Sequence, residues 1–464
     1  MGCIRSLSRT LVRFAGGAAL LTCFLVPTKA WAVFASQFSL SVGEEYNNNI
    51  FFEKKKEHDF ITIITPTLSL YYAPAGEVEP TLNLNLSPSG YIYALHSDQN
   101  SFGANSAVSG SYTYRYSPRL NFTLFDTFSR QDSTRTGGLS GGFGVPGLPT
   151  TGGGGSSSQN LKDLTSGGTQ LSNAVSFHGS YLYQPNISFT VDYTNRFESF
   201  MSQGGTDVFN TASVRGIYNW RQDHNLHAGY TIYIANSRNG DSCKYGKFDF
   251  GDDYFSNYNL QLSPTLSLSA STGLSFNTGG TGCSGSSPIT NSSNITITKL
   301  WEKAFLTGGM TKGLTPSYGV SGASDTTSFF TNFTMRITEK LTATSNLNFE
   351  LYDTNDGNFK TFQAGMGLQY AINTWLSTGL YYYFNWTDSG VSAKSTDLLS
   401  PGIVNSNSVF VNLTSRFDLW PNVGLARSMS LAARAPTLTT PFPTPTPPPP
   451  STGTGTNPST GPTP

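Results

Sequence analysis

Apolar and polar side chains alternate with a period of two along most of the chain. Ile187, Phe189, Val191, Tyr193 and Phe197 would share one face of an extended segment, and Ser188, Thr190, Asp192, Thr194, Arg196 and Glu198 the other. Ala212, Val214, Gly216, Tyr218 and Trp220 stand opposite Thr211, Ser213, Arg215 and Asn219. Leu266, Leu268, Ala270, Leu274 and Phe276 alternate with Ser267, Ser269, Ser271, Gly273 and Ser275, and Tyr112, Tyr114 and Tyr116 with Ser111, Thr113 and Arg115. No stretch shows a comparable helical period. Period two is the mark of a β-strand with unlike faces. Arginines decide which face meets lipid, if there is lipid. At a bilayer midplane an outward Arg costs about 2–4 kcal/mol, whereas in a wet lumen it stays hydrated. Arg115, Arg196, Arg215 and Arg336 all fall on the polar face, and with His178, Asp192, Glu198 and Glu350 they are the expected lumen-facing residues.

The connections alternate between short and long. Ser117-Pro118-Arg119-Leu120, Gln184-Pro185-Asn186-Ile187, Gln222-Asp223-His224-Asn225, Ser263-Pro264-Thr265-Leu266, Thr338-Glu339-Lys340-Leu341 and Ile372-Asn373-Thr374-Trp375 read as tight turns of the kind Pro and Asn favour. Between them lie Gly/Ser/Asn-rich links at Glu53–His58, Thr134–Gly168, Ser237–Asp253, Thr278–Asn294, Pro316–Asp325 and Gly390–Val404. The rhythm predicts an all-β, antiparallel up-and-down transmembrane barrel of about 18 strands, or 16 if Lys299–Gly313 contributes none. Short turns would face the periplasm and long links the exterior.

Composition supports this class and excludes others. Only 12 % of the 464 residues are charged, with Lys+Arg and Asp+Glu balanced at 28 each, while aromatics reach 13 %. Soluble domains carry about 25 % charge. Outside the first 32 residues no apolar run approaches the roughly 18 residues a spanning helix needs. Balanced charge gives no basic footprint for nucleic acid.

Arg5, Arg9 and Arg13, the apolar run Phe14–Val26 and the Ala30-Trp31-Ala32 site make residues 1–32 a secretory signal peptide. Its removal leaves a formal charge of −4. The barrel is expected over 33–417, closing on a strand with Val409, Val411, Leu413 and Phe417 on one face. That strand resembles the carboxy-terminal signal of barrel proteins, except that 47 residues follow it. Residues 418–436 read as a periplasmic connector, and 437–464, rich in Pro, Thr and Gly, as a disordered or polyproline-II tail. Cys243 and Cys283 remain in the mature chain. Export to an oxidising space permits a disulfide between them, each expected in an exterior link beside one hairpin, Tyr254–Leu262 with Leu266–Phe276.

Ser41-Val42-Gly43-Glu44-Glu45-Tyr46-Asn47-Asn48-Asn49-Ile50-Phe51, a charged stretch, then Asp59-Phe60-Ile61-Thr62-Ile63-Ile64-Thr65-Pro66 open the mature chain. This resembles the start of the outer-membrane β-barrel porins encoded among exopolysaccharide and exosortase (PEP-CTERM) genes. The resemblance implies a Gram-negative outer-membrane barrel that passes polysaccharide, with lipid, lipopolysaccharide and periplasmic polysaccharide-export components as partners. It brings no catalytic residue and no cofactor.

The remaining candidates have plainer explanations. His178-Gly179-Ser180 echoes the His-x-Ser of outer-membrane phospholipase A, but here both side chains face the lumen and the chain is not expected to be an enzyme. Asp353-Thr354-Asn355-Asp356-Gly357 fits a hairpin turn better than a calcium loop, its Gly standing one place early. Glu53–His58 could meet lipopolysaccharide phosphates, with a solvated loop the simpler account. Tyr381–Phe384 and Trp386 read as interfacial girdle residues; Tyr233, Tyr381 and Tyr383, in the lumen, could also stack on sugar rings. The sequence leads to an outer-membrane channel with a polar lumen. A structural or adhesive barrel and the sheath of an electron conduit are the alternatives.

Overall fold

The computed structural model describes residues 32–420 except 53, 75–80, 104–105, 133–168, 201–205, 222–223, 237–241, 257–264, 280–288, 317–322, 355–356 and 390–401. The signal segment, the expected tail and the link Thr134–Gly168 therefore fall outside it. Its strands are β1 (Ala32–Asn47), β2 (Asp59–Pro74), β3 (Thr81–Ser87), β4 (Gly90–Tyr93), β5 (Ser101–Phe102), β6 (Ser106–Ser117), β7 (Leu120–Asp132), β8 (Thr169–Gln184), β9 (Ile187–Phe200) and β10 (Thr206–Arg221). They continue as β11 (His224–Asn236), β12 (Ser242–Ser256), β13 (Leu266–Gly279), β14 (Ile289–Leu300), β15 (Ala304–Pro316), β16 (Ala323–Arg336), β17 (Leu341–Thr354), β18 (Gly357–Ala371), β19 (Leu376–Ser389) and β20 (Gly402–Trp420).

Each strand pairs antiparallel with its neighbours, and β1 pairs with β20 from Asn47↔Ser408 to Ser36↔Trp420, which closes the sheet. β3 and β4 are two halves of one wall strand. Both pair with β2, and the break between them falls at Pro88, which has no N–H to give a ladder. β3 pairs on its other side with β6 and β4 with the two-residue β5, so β5 and β6 are likewise two halves of the next wall strand. Counted this way the barrel has 18 strands. The Lys299–Gly313 stretch supplies parts of β14 and β15, joined at Trp301–Lys303, so the count of 16 falls away.

At the short-turn end polar side chains replace the missing ladder bonds. The Asn373 carboxamide oxygen accepts the N–H groups of Trp375 and Leu376 at 2.9 and 2.8 Å, and the Thr338 hydroxyl accepts those of Lys340 and Leu341 at 3.2 and 3.0 Å. Both ends of the barrel, Ala32 and Trp420, lie at this end.

Four expected links shorten. Most of Ser237–Asp253 is strand β12, so the first strand of the expected hairpin is Ser242–Ser256 rather than Tyr254–Leu262, whose residues 257–262 lie outside the described ones. β14 begins at Ile289, inside the expected link Thr278–Asn294, β16 at Ala323 and β20 at Gly402. β20 also runs to Trp420, three residues past Phe417 and into the segment expected as connector. The physical reason is shared. Charge, Gly and Ser signal loops in water, but a wet lumen accepts them inside strands.

The faces separate as the period requires. Val191, Val214, Phe248, Leu274, Leu380, Val411 and Leu413 point outward and are exposed. Tyr382 and Trp386 share that face, while Tyr381 and Tyr383 turn into the lumen, so only part of the expected girdle cluster is outward.

Candidate functional site: the lumen

Arg115, His178, Asp192, Arg196, Glu198, Arg215, Arg336 and Glu350 occupy lumen-facing positions by strand register. They do not form one site. Arg336 and Arg115 lie near the short-turn ends of β16 and β6, apart from the others. Glu350, on β17, is buried beside Tyr352, whose hydroxyl donates to its carboxylate.

The other five line β8–β10, and β11 and β12 extend them into a charged ladder. Cross-strand pairing aligns His178, Asp192, Ser213, Thr231 and Lys247 in one row. His178 Nδ1 lies 2.5 Å from the Asp192 carboxylate, which also accepts the Ser213 hydroxyl at 3.1 Å. The next row toward the short turns runs Thr190, Arg215, Gly229, Asp249. Gly229 leaves room for Arg215 and Asp249 to meet from two strands apart, at 3.4 Å: a Cβ there would stand 3.1 Å from the Asp249 carboxylate and 3.5 Å from Arg215 Cβ. His227, one row lower, folds its ring over Gly251 and approaches Asp249 to 3.9 Å. Toward the long loops the order is a stacked Tyr233–Tyr245 pair, 4.4 Å between ring centres, then Phe209, Ala235 and Cys243, then Glu198 opposite Asp207. Arg196 reaches Glu198 at 2.5 Å along its own strand.

Lys247, Asp249 and His227 are the members that sequence reasoning missed. Reading 237–253 as a link hid Lys247 and Asp249, although Cys243, Tyr245, Lys247, Asp249 and Gly251 alternate with outward Phe248 and Phe250; His227 lies on β11, where only its pairing with Gly251 of β12 brings it to Asp249.

Across the barrel, around β1, an apolar cluster packs into the lumen toward the long-loop end, among buried polar side chains such as Glu45, Asn47 and Asp59. Ile61 and Ile63 of β2, Tyr91 and Tyr93 of β4, Tyr381 and Tyr383 of β19 and Phe410 of β20 form one buried cluster. The Tyr381 ring lies flat against Gly367 and Gly379, where any Cβ would overlap it. Ile50 completes the cluster from the link between β1 and β2, with 2 % of its surface exposed, and Phe51 packs against it. Ile50 and Phe51 therefore turn into the barrel, while Lys54, Lys55, Lys56 and His58, in the stretch expected as a solvated loop, are exposed. Tyr381 and Tyr383 are covered by this packing at 5 % exposure each, which leaves no free ring face for a sugar. Tyr233 is less enclosed.

Burial is uneven along the axis. In the long-loop half Ser275, Ser292, Ser328, Glu350, Phe359 and Thr361 are almost wholly buried although they face inward. On β6–β10 the inward positions Ser109, Thr113, Thr123, His178, Thr190, Asp192 and Ser213 are half-buried, and Arg115 and Arg215 are exposed. A polar track thus runs down one wall beside a packed, partly aromatic one. Cys243 is disulfide-bonded and lies inside a strand rather than in a link; Cys283 is outside the described residues. The described residues hold no group of three or more His, Cys, Asp or Glu placed to bind a metal. No described helix is long and apolar enough to cross a membrane, which says nothing of crossing by strands.

No protein-family model matches the chain, and no curated protein matches it in sequence. Among solved structures, Pseudomonas aeruginosa OccK7 (OpdD) is 12 % identical, with a TM-score of 0.43 over 84 % of this chain and 100 % of that one. The outer membrane channel DcaP of Acinetobacter baumannii is 13 % identical, with a TM-score of 0.39 over 84 % and 99 %. Acinetobacter baumannii OccAB3 is 13 % identical, with a TM-score of 0.41 over 83 % and 99 %. These scores lie below the level at which a shared fold follows.

Proposed function

We propose that the chain is a channel of the bacterial outer membrane, exported by a signal peptide at 1–32, and that hydrophilic solutes pass along the polar track of β6–β10. The observation that carries this reading is the pairing of an outward apolar face with a closed ladder around a charged, accessible inner wall. Closure satisfies backbone N–H and C=O groups within the sheet, as lipid demands, and barrels of this strand number are wide enough to enclose water. Short turns then face the periplasm and the long loops the exterior. Polysaccharide is the cargo class that the resemblance to exopolysaccharide-linked porins suggests, and hydroxyl side chains such as Ser109, Thr113, Thr123 and Thr190 suit it chemically. Lipopolysaccharide and periplasmic export components are the partners that go with that cargo. The buried outer half of the lumen favours a second reading, a barrel that displays loops and conducts nothing.

Two measurements separate these readings. The mature chain is expected in the outer-membrane fraction, with heat-modifiable migration in detergent gels, and the channel reading requires ion conductance in planar bilayers. A soluble periplasmic chain would end both readings; a membrane barrel without conductance would leave the second. Within the channel reading, Asp249→Asn should move the reversal potential in a salt gradient toward anion selectivity. It removes the partner of Arg215 at 3.4 Å and the negative charge nearest Lys247 along β12, while Arg215 remains hydrated. An unchanged reversal potential would place the ladder off the ion path.

A further inference from the structure

The link between β1 and β2, which carries Ile50 into the lumen, is fastened at two points. Against β20 the backbone N–H of Asn48 donates to the Asn407 carbonyl at 3.1 Å, the Asn48 side chain accepts the Asn407 N–H at 2.8 Å, and the Asn49 side chain donates to the Asn405 carbonyl at 2.9 Å. Lys56 adds a bond to the Asn405 side chain. The second fastening is a single histidine. His96 follows β4, and Asp59 opens β2. The Asp59 carboxylate is fully buried and accepts the N–H groups of Phe60, Ala94, Leu95 and His96 at 2.7 to 3.1 Å. It also meets His96 Nδ1 at 2.8 Å. The other ring nitrogen, Nε2, lies 3.2 Å from the carboxylate of Glu57 in the β1–β2 link. The ring edge meets Phe51 at 5.5 Å between centres.

A neutral imidazole carries one N–H, so it can donate to one carboxylate only. With Nδ1–H committed to the buried Asp59, a neutral ring would turn a lone pair toward Glu57. Two carboxylates on two ring nitrogens are satisfied together only by the imidazolium.

We propose that His96 is a pH-sensitive clasp joining the two outer loops, and that its protonated form holds the Ile50–Phe51 segment in the mouth of the barrel. This rests on the channel reading as far as conductance goes, but the clasp itself does not. The charged groups facing His96 are Asp59 from β2 and Glu57 from the link, with Lys55 pairing Glu57 at 3.3 Å. The Asp59 bond is the larger cause, with Glu57 adding to it, and together they raise the His96 pKa above its ordinary 6.5 against a smaller opposing effect of desolvation. Lys55 first, and His96 next, lower that of Glu57. A raised histidine pKa gives a contribution that is complete below the ordinary value and disappears as pH rises through the raised one. The clasp is therefore shut in mild acid and opens toward alkaline pH. Its strength is that of a partly exposed ion pair, enough to change the loop's open fraction by about threefold.

Trypsin reads the loop through Lys54, Lys55 and Lys56 without needing a pore. In folded full-length protein, cleavage there should quicken about threefold between pH 7 and pH 9 once corrected for trypsin's own pH profile on a peptide substrate. His96→Asn should be cleaved at the fast rate throughout. Glu57→Gln can donate its amide N–H to the neutral ring, so it should stay slow at pH 9. Conductance, measured in parallel, should rise with pH in the native chain and lose that dependence in both variants. Cleavage that follows the same pH course in all three proteins would overturn the clasp. Normal pH-dependent cleavage with no conductance in any of them would instead overturn the channel reading and leave the clasp standing.

Discussion

Val214→Arg should destabilise the folded barrel by about 2–4 kcal/mol in lipid, the cost of an arginine on the membrane face near the midplane. Its neighbour Arg215→Ser should fold almost normally. Val214 lies mid-strand in β10, 56 % exposed, between outward Val191 and Tyr230. A guanidinium there would have to reach an interface along the wall or draw water into the bilayer. Arg215 points the other way, where one of its amine groups meets Asp249 at 3.4 Å and nearly half of its side chain is hydrated. The Arg215 end of the pair is wet, and buried Asp249 keeps His227 at 3.9 Å, so loss of the pair should cost about 1 kcal/mol, below the cost on the membrane face. Reversible urea unfolding in vesicles measures both. Comparable losses from the two changes would mean that the faces of β10 are wrongly assigned, and because register is continuous from strand to strand, the assignment of the charged ladder would fall with them.

The alternation that makes this test possible was legible in the sequence, because lipid and lumen impose opposite demands on successive residues. β9, β10 and β13 are readable for that reason: their outward positions are nearly all apolar and their inward ones mostly polar, Phe209 of β10 being an exception. β12 was not readable. Its inward positions mix Cys243, Tyr245, Lys247, Asp249 and Gly251, and its outward ones include Lys244 and Gly246. A segment with that composition looks like a loop until its partners on β11 and β13 are known. The aromatic cluster around β1 was hidden for a different reason. Tyr and Phe serve equally well as girdle residues and as lumenal packing, so Tyr381 and Tyr382 can be told apart only by parity within the strand. The clasp was beyond reach from sequence, since Glu57, Asp59 and His96 have no spacing that announces a shared contact. Strand count, by contrast, depended only on turns, and the doubtful stretch at Lys299–Gly313 resolves into two strands around Trp301–Lys303.

Cys243 and Cys283 should be found joined in the unreduced protein. Cys243 is disulfide-bonded, 3 % exposed, and packed with Phe209, Ala235, Tyr245 and Leu314 on the inner side of the long-loop end. Its proposed partner follows β13. In the β12–β13 ladder Lys244 stands opposite Gly279, so the chain needs only a few residues beyond Gly279 to bring position 283 back to position 243. Cys3 and Cys23 fall in the segment expected to be removed on export. The bridge would tie off an interval of about 40 residues, for which chain entropy in the unfolded state gives about 3–4 kcal/mol. Cys243→Ser should therefore lower the urea midpoint of the barrel, whereas native protein with and without reductant should differ in the same direction. Cys283→Ser should behave like Cys243→Ser, and the double variant should be no worse than either, since one bond is lost in all three. Mass spectrometry after alkylation without reductant decides the pairing. A cross-linked peptide containing both positions is the expected result. Alkylation of both thiols would overturn the bridge.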